Sequence, residues 1–284
     1  MTLAELISRT LDQPVPAEIR AVAAHIASGR PGVAAILAYG SCLRGVATSD
    51  SLIDLYVLTD DLAGVSGNLV SCLACRAVPP NVYYSECDIA GERYRAKFAV
   101  LPLSLFASWM TADNPYFWAR FSQPSALLHA ASAEARQQVI AAVETAITTM
   151  YRNARGVSAA SDPADVWAAG FAETYQTELR PESASRGSMI AAAQADYYRE
   201  AAALLGDLPP LPANWPARRF RGKLWSVVRL IKASFTFAGG ADYMVWKIER
   251  HSGHRIELTD WQRRHPIITG LRLLPRMLKR GAVR

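Results

Sequence analysis

The stretch Tyr39–Asp61, YGSCLRGVATSDSLIDLYVLTDD, decides how the rest of this chain is read. An apolar run, Val33 to Ala38, ends in Tyr39-Gly40-Ser41. A polar loop then leads into a second apolar run that carries one acid, Asp54, followed by Leu55-Tyr56-Val57-Leu58. The pattern predicts strand, tight turn, strand. Glycine lets backbone N–H groups come close to a ligand, a serine hydroxyl can donate to a phosphate oxygen, and a carboxylate near the start of the second strand can hold a metal ion. In outline this is a site for a nucleoside triphosphate. Gly-Ser after a strand is also a common turn, and a lone strand Asp can be a solvated or capping residue.

Outward from that stretch, helices and strands alternate. Leu3, Leu6, Ile7 and Leu11 recur at helical spacing, Pro14 and Pro16 interrupt, and residues 17–28 continue as a second helix stopped by Gly29-Arg30-Pro31-Gly32. After Asp61, residues 62–77 are expected to be helical up to Pro79-Pro80. Residues 81–86 and 93–101 have the aromatic, alternating content of paired strands, with Ala90-Gly91 as their turn. A short helix over 103–110, a strand over 126–129 and a long alanine-rich helix over 132–155 follow. The fold class expected is α+β, a mixed β-sheet flanked by helices.

A boundary is expected at residues 156–162, which begin with Gly156 and carry Ser158 and Ser161 ahead of Pro163. Helices are predicted over 165–177 and 188–205, with Arg180-Pro181-Glu182 as punctuation. Residues 206–216, with prolines at 209, 210, 212 and 216, form the clearest linker. The organisation expected is a catalytic domain (1–156), a helical domain completing its site (157–214) and a basic helical segment that associates with membrane (215–284). No internal repeat is present.

Composition narrows the class. A chain of 284 residues, 51% hydrophobic and 20% charged, is globular, which excludes a disordered or fibrous protein. No run of eighteen apolar residues occurs, and Met1 to Asp12 carries acids where a signal peptide has lysines, so an intracellular protein without a transmembrane helix is expected, cytoplasmic and peripheral to the inner face of the membrane. Cys72 and Cys75 form C-x-x-C, but Leu73 and Ala74 between them suit a buried helix. With Cys42 and Cys87 they are read as reduced core thiols rather than a zinc site.

Charge is distributed unevenly. Residues 1–214 hold 15 Lys and Arg against 21 Asp and Glu, whereas residues 215–284 hold 16 against 4. Such asymmetry points to an anionic partner for the C-terminal part, a phospholipid surface or a nucleic acid. Residues 220–237 read as a basic amphipathic helix with Leu224, Val227, Val228 and Ile231 on one side. Near the end, Ile267, Leu271, Leu274 and Leu278 repeat at helical spacing while Arg272, Arg276, Lys279 and Arg280 take other positions. An interfacial helix needs that combination, with each cation near an anionic surface contributing about 1 kcal/mol. The alternative is a helix packed on its own domain with a solvated basic face.

Asp54-Leu55-Tyr56 follows Gly40-Ser41 at the spacing of the nucleotidyltransferase superfamily, whose pattern is Gly-Ser, a spacer, then Asp-x-Asp or Asp-x-Glu; here Tyr56 stands where the second acid is expected. Further along, Asp54 to Asp61, then Asn81-Val82-Tyr83-Tyr84-Ser85, then Ala96 to Leu101 run in the order seen in the mitochondrial translocator assembly and maintenance protein family. Scattered matches continue at Trp118-Ala119-Arg120 with Gln123-Pro124, at Tyr175, and at Leu179-Arg180-Pro181-Glu182 with Arg186. The chain resembles that family over roughly residues 35–205, and the family's members are CTP:phosphatidate cytidylyltransferases with a nucleotidyltransferase-like fold.

The resemblance implies nucleotidyl transfer from CTP to phosphatidic acid, with Mg²⁺ as cofactor. Asp54 is then the first metal carboxylate, and Asp50, at the loop end, substitutes for the missing second acid. Glu86, Asp88 and Glu92 are lesser candidates. Tyr39, Gly40 and Ser41 would cradle the triphosphate, and Lys97 would meet a phosphate, or else be a structural lysine with an extended stem. Arg44 and Arg120 are further cations, and Tyr175, Arg180, Glu182 and Arg186 would complete the site or form an ordinary helix-start charge cluster. Arg272, Arg276, Lys279 and Arg280 would bind the anionic membrane surface. Two other readings remain. One is transfer to another acceptor (RNA, protein or small molecule), for which Phe220, Trp225 and Trp246 among cations could stack bases, though nucleic acid is not favoured. The other is a catalytically inactive nucleotide-binding relative.

Overall fold

The computed structural model describes residues 1–43, 52–179 and 185–236, with Val245, Thr259, Trp261 and Gln262 as isolated positions. Two N-terminal helices, α1 (Leu3–Leu11) and α2 (Ala17–Ser28), lead into β1 (Val33–Tyr39). Thr2 caps α1 by accepting from the Glu5 N–H while the Glu5 carboxylate accepts from the Thr2 N–H, so the helix starts where its backbone donors are satisfied. Its apolar stripe, Leu3, Leu6, Ile7 and Leu11, is buried as the spacing requires.

A 3-10 turn (Gly40–Leu43) follows β1, and β2 (Leu52–Thr59) returns antiparallel to it, Ala38 opposite Leu55. Next come α3 (Leu69–Ala77), β3 (Asn81–Ile89) and β4 (Glu92–Pro102). Residues 62–68, expected to be helical, instead form turns. Asn68 begins α3 by accepting from the N–H groups of Val70 and Ser71. The β3–β4 hairpin turns through Ala90 and Gly91, both at positive φ (52° and 87°), which suits the right-handed twist of the strands it joins.

The remaining elements are α4 (Leu103–Ser108), a short α5 (Trp118–Phe121), β5 (Ser125–Ala130), the 23-residue α6 (Ala133–Arg155), α7 (Pro163–Tyr175), α8 (Ser185–Ala193), α9 (Ala195–Leu205) and α10 (Trp215–Thr236). The sheet order is β3-β4-β2-β1-β5, with β2 and β4 parallel and the other pairs antiparallel. This is an α+β protein, a mixed five-stranded sheet flanked by helices and followed by further helices. β2 is the middle strand, flanked by β1 and β4, and the sequences of β1 and β2 are accordingly apolar on both faces except at Asp54 and the terminal Thr59.

One cluster of buried hydrophobic side chains runs from Leu3 to Trp215, through sheet and helices alike. α7 crosses α6 at Gly170, where a Cβ would lie 2.5 Å from that of Ala154, and Trp167 stacks on Tyr151. α9 returns to the first helix, where Arg9 pairs with Glu200. The proline-rich stretch read as a linker lies along the end of α6. Arg155 bonds Asp207 and the Leu208 carbonyl, Arg152 bonds the Pro209 carbonyl, and the Leu211 N–H donates to the Arg152 carbonyl. It leads directly into α10, whose first turns are docked on the body.

α10 is oriented against expectation. Most of its cations find partners on the body: Arg218 (side chain 12% exposed) pairs with Asp113, Arg219 pairs with Glu173, and the Lys232 ammonium donates to the Val78 and Pro80 carbonyls and to Asn81 Oδ1, while Arg221 pairs with Asp113 at the surface and Lys223 is exposed. Its apolar residues turn outward, with Phe220 73% and Phe235 79% exposed and Leu224, Val227, Leu230 and Ile231 also exposed. Arg221 and Lys223 are the cations this helix leaves in solvent, so its exposed side is mainly apolar rather than basic. Arg272, Arg276, Lys279 and Arg280 lie outside the described residues.

Candidate active site

The site forms where β1 ends and β2 begins. Tyr39 closes β1, and Gly40 follows at φ +80°, a backbone conformation open to glycine and strained for other residues. The 3-10 turn then folds back: the Cys42 thiol donates to the Tyr39 carbonyl at 3.1 Å and reaches the Asp54 carbonyl at 3.9 Å. Burial pushes the Cys42 thiol pKa up, and the Asp54 charge adds to the effect, so this cysteine is a neutral packing group beside the acid. The turn thus meets the start of β2. Asp50 and Arg44 belong to the loop between and lie outside the described residues, as does the side chain of Ser41.

Asp54 and Lys97 are register partners on the parallel strands β2 and β4, with Lys97 Nζ 3.9 Å from Asp54 Oδ1. Side chains on adjacent parallel strands at the same register share a face. The side chains are 25% and 36% exposed, which leaves both reachable from solvent. Tyr84 of β3 is the next residue in this row, paired with Lys97 in the β3–β4 register. On the opposite face Tyr83 and Phe98 stack beneath Arg30.

Tyr56, two residues beyond Asp54 and on the same face, is wholly buried. Its ring sits among Tyr39, Phe106, Phe117 and Phe121, with centroids 4.8 to 6.5 Å away, and its hydroxyl accepts from Arg120 Nη1 at 2.8 Å. Burial raises its pKa well above the ordinary phenol value despite the nearby Arg120 charge, so the oxygen is a neutral acceptor. The position at which the superfamily pattern has a second acid is here filled by aromatic packing.

Arg120, on α5, spans several rings: its Cζ lies 4.3 Å from the Tyr116 centroid and 5.3 Å from that of Tyr39. From α10, Arg229 reaches the same Tyr116 ring at 3.7 Å. Burial pushes the Tyr116 phenol up, yet Arg120 and Arg229 together bring it down to about 8. Glu178, three residues past the end of α7, supplies the negative charge felt by Arg120, Arg229 and Tyr116. Burial lowers the Lys232 ammonium to about 8 at the outer end of the same helix.

Of the residues expected at the site, Tyr39, Gly40, Asp54, Lys97 and Arg120 converge on this corner of the sheet. Tyr175 is the last residue of α7. Arg180 and Glu182 lie outside the described residues, and Arg186 falls in the first turn of α8 with its side chain outside them. Glu86, Asp88 and Glu92 are engaged elsewhere. Glu86 accepts from Tyr84 Oη and Arg95, Asp88 pairs with Arg93, and Glu92 accepts from Tyr94 Oη.

Among the described residues no group of three or more His, Cys, Asp or Glu side chains is placed to hold a metal. All four cysteines are buried and free. Tyr116, Glu178, Arg229 and Lys232 went unread in the sequence. Only the aromatic density of Tyr116-Phe117-Trp118 and the cation spacing in residues 218–232 hinted at them. No helix among the described residues is long and apolar enough to cross a membrane. No protein-family model matches the chain, and no curated protein matches it.

Proposed function

We propose that the protein is a Mg²⁺-dependent nucleotidyltransferase that makes CDP-diacylglycerol and pyrophosphate from CTP and phosphatidic acid at an anionic membrane surface. One observation carries the reading: the glycine turn after β1 closes onto the start of β2, where Asp54 stands 3.9 Å from Lys97. A turn that offers backbone donors, one reachable carboxylate and one reachable cation is what a triphosphate requires. The mixed sheet that holds them is consistent with a nucleotidyltransferase-like fold.

A single carboxylate fits Mg²⁺, which keeps several waters and takes one or two protein carboxylates, with substrate phosphates completing its shell. Asp54 would hold the ion, with Asp50 the second carboxylate from the loop. When bound, the ion would supply charge neutralisation at the phosphates.

The chain's own groups do the remaining work. Backbone N–H groups at Gly40 and Ser41 bind non-bridging oxygens, and Lys97 offsets charge on the leaving pyrophosphate. Arg120 holds a phosphate on the side of Tyr39, and Tyr175, Arg180, Glu182 and Arg186 are the residues that the family resemblance assigns to completing the site. A phosphatidate oxygen attacks the α-phosphorus in line, the bond to the β-phosphate oxygen breaks, and no strong base is needed because the attacking group is already anionic. The outward apolar row on α10 supports peripheral association, with Arg272, Arg276, Lys279 and Arg280 expected to meet headgroups.

The test uses the purified full chain with labelled CTP, Mg²⁺ and vesicles with or without phosphatidate. Labelled CDP-diacylglycerol that depends on both phosphatidate and Mg²⁺ is the expected result. If no lipid product forms while label is transferred to RNA, to protein or to a small acceptor, the lipid assignment is wrong.

A further inference from the structure

Arg229 is the least explained charged group in the interior. Its guanidinium lies against the Tyr116 ring at 3.7 Å, with Arg120 against the same ring at 4.3 Å. Stacking uses the flat faces of a guanidinium and leaves its N–H donors pointing outward in its plane. For Arg120 one of those donors is accounted for, because Nη1 donates to Tyr56. For Arg229 the Nε and Nη2 atoms are buried and donate to no acceptor among the described residues.

Those two atoms are informative together. Nε and Nη2 form one straight edge of the guanidinium, the edge that meets two oxygens of a carboxylate or phosphate at once. Buried donors without acceptors are rare in proteins, and each calls for an explanation, a missing ligand among them. The local charge agrees: Arg120, Arg229 and Lys232 gather where Glu178 is the acid felt by both arginines. Glu178 does not satisfy the Nε/Nη2 edge. Arg120 also lies over Tyr39, the residue that leads into the Gly40 turn, so the arginine pair borders the candidate active site.

We infer that the Nε/Nη2 edge of Arg229, with Arg120 beside it on Tyr116, is a phosphate-binding subsite that holds a phosphate group of one of the two substrates. The subsite follows from the geometry, and only the identity of its occupant rests on the proposed function. α10 thereby becomes a functional element, since the cation it carries at residue 229 reaches Tyr116, two residues ahead of α5. A phosphate seated there bridges the two helices and fixes the end of the site.

The experiment is isothermal titration calorimetry of the full chain with three probes: inorganic phosphate, soluble dioctanoyl phosphatidate, and Mg-CTP. Wild type is compared with Arg229→Gln, whose melting temperature is checked first. Loss of one bidentate charged contact is expected to weaken binding of the occupant about tenfold to a hundredfold. A loss for phosphatidate identifies the acceptor's phosphate, and a loss for Mg-CTP identifies the triphosphate. Either result supports the subsite.

Unchanged affinity for all three probes, or a wild-type chain that binds none of them, overturns it. Should Arg229→Gln fail to fold, Arg229→Lys keeps the charge without the fork. Several-fold weaker binding is then expected, and wild-type affinity overturns the subsite. The readout is binding without turnover. A chain that loses phosphate affinity on substitution but makes no CDP-diacylglycerol keeps the subsite and loses the functional reading, whereas the reverse pair of results does the opposite.

Discussion

Arg120 Nη1 donates to the hydroxyl of Tyr56 at 2.8 Å, inside a ring of aromatic side chains that leaves Tyr56 no exposed surface. Tyr56, which stands where the nucleotidyltransferase pattern would carry a second acid, is therefore an acceptor for a cation, and it belongs to the core. Tyr56→Phe removes that acceptor and leaves a charged donor short of a partner, so a loss of about 1–3 kcal/mol is expected. Tyr56→Asp, which restores the pattern on paper, puts a carboxylate among Phe106, Phe117 and Phe121 and is expected to be the worse of the two. Urea denaturation of both variants decides it; a Tyr56→Asp protein as stable as wild type contradicts this account.

Asp54 and Lys97 form a partly exposed pair at 3.9 Å, a geometry that contributes at most about 1 kcal/mol to folding. Asp54→Asn is expected to leave the midpoint of thermal unfolding within a few degrees of wild type. The proposed nucleotidyl transfer is expected to fall by about a hundredfold or more, as for loss of a metal-holding or charge-stabilising group. Radiolabel transfer and a thermal melt on the same preparation separate the two effects. A large loss of stability with activity per folded molecule intact would show the pair to be structural.

Tyr116 titrates at about 8 because, against the effect of its burial, Arg120 and Arg229 stabilise the phenolate. Its folded value lies below the ordinary phenol value of 10.0, so the stability it contributes is fully present above pH 10 and is lost as pH falls through 8. Ultraviolet difference absorbance should show one tyrosine ionising near pH 8, and Tyr116→Phe should abolish that step. Arg229→Gln should move it upward, as should saturating inorganic phosphate. A titration that begins only near 10 in wild type refutes the arrangement.

Gly222 is where α10 crosses the end of α7. A Cβ there would stand 2.5 Å from the Thr177 carbonyl oxygen and 2.8 Å from its Cβ, and neither can swing aside as a flexible side-chain end would. Gly222→Val is expected to lift α10 off the body, costing about 1–3 kcal/mol or more by overpacking. Limited proteolysis should then cut the 206–214 stretch faster than in wild type, and a wild-type cleavage rate contradicts the expectation.

Ala90 holds φ at 52° in the β3–β4 turn, a conformation that disfavours residues with a Cβ other than Asn and Asp. Ala90→Asn is expected to stabilise the protein by about 1 kcal/mol without touching the site. A denaturant midpoint shift in the opposite direction rejects that reading of the turn.

Local pattern made much of the fold readable. Leu3, Leu6, Ile7 and Leu11 announce α1 because a buried helical face needs that spacing, and Ala90-Gly91 announces a hairpin because its turn needs positive φ. Residues 62–68 misled because their apolar content serves loop packing, with Val65 buried beneath the Tyr83 hydroxyl rather than on a helix stripe. The predicted 188–205 helix is two helices, broken at Gln194, which no glycine or proline marks.

The sequence alone determined the alternation of strands and helices, the glycine turn beside Asp54 and the uneven charge, since each depends on residues close together in the chain. Tertiary structure decided the rest. It set Tyr56 inside the core and brought Lys97 level with Asp54. It also turned Arg218, Arg219 and Arg229 of α10 inward, to Asp113, Glu173 and Tyr116, leaving the apolar side of that helix outward. A helical period states which residues share a face, but which face is buried depends on the acids and rings of distant segments, and those meet only when the chain is folded.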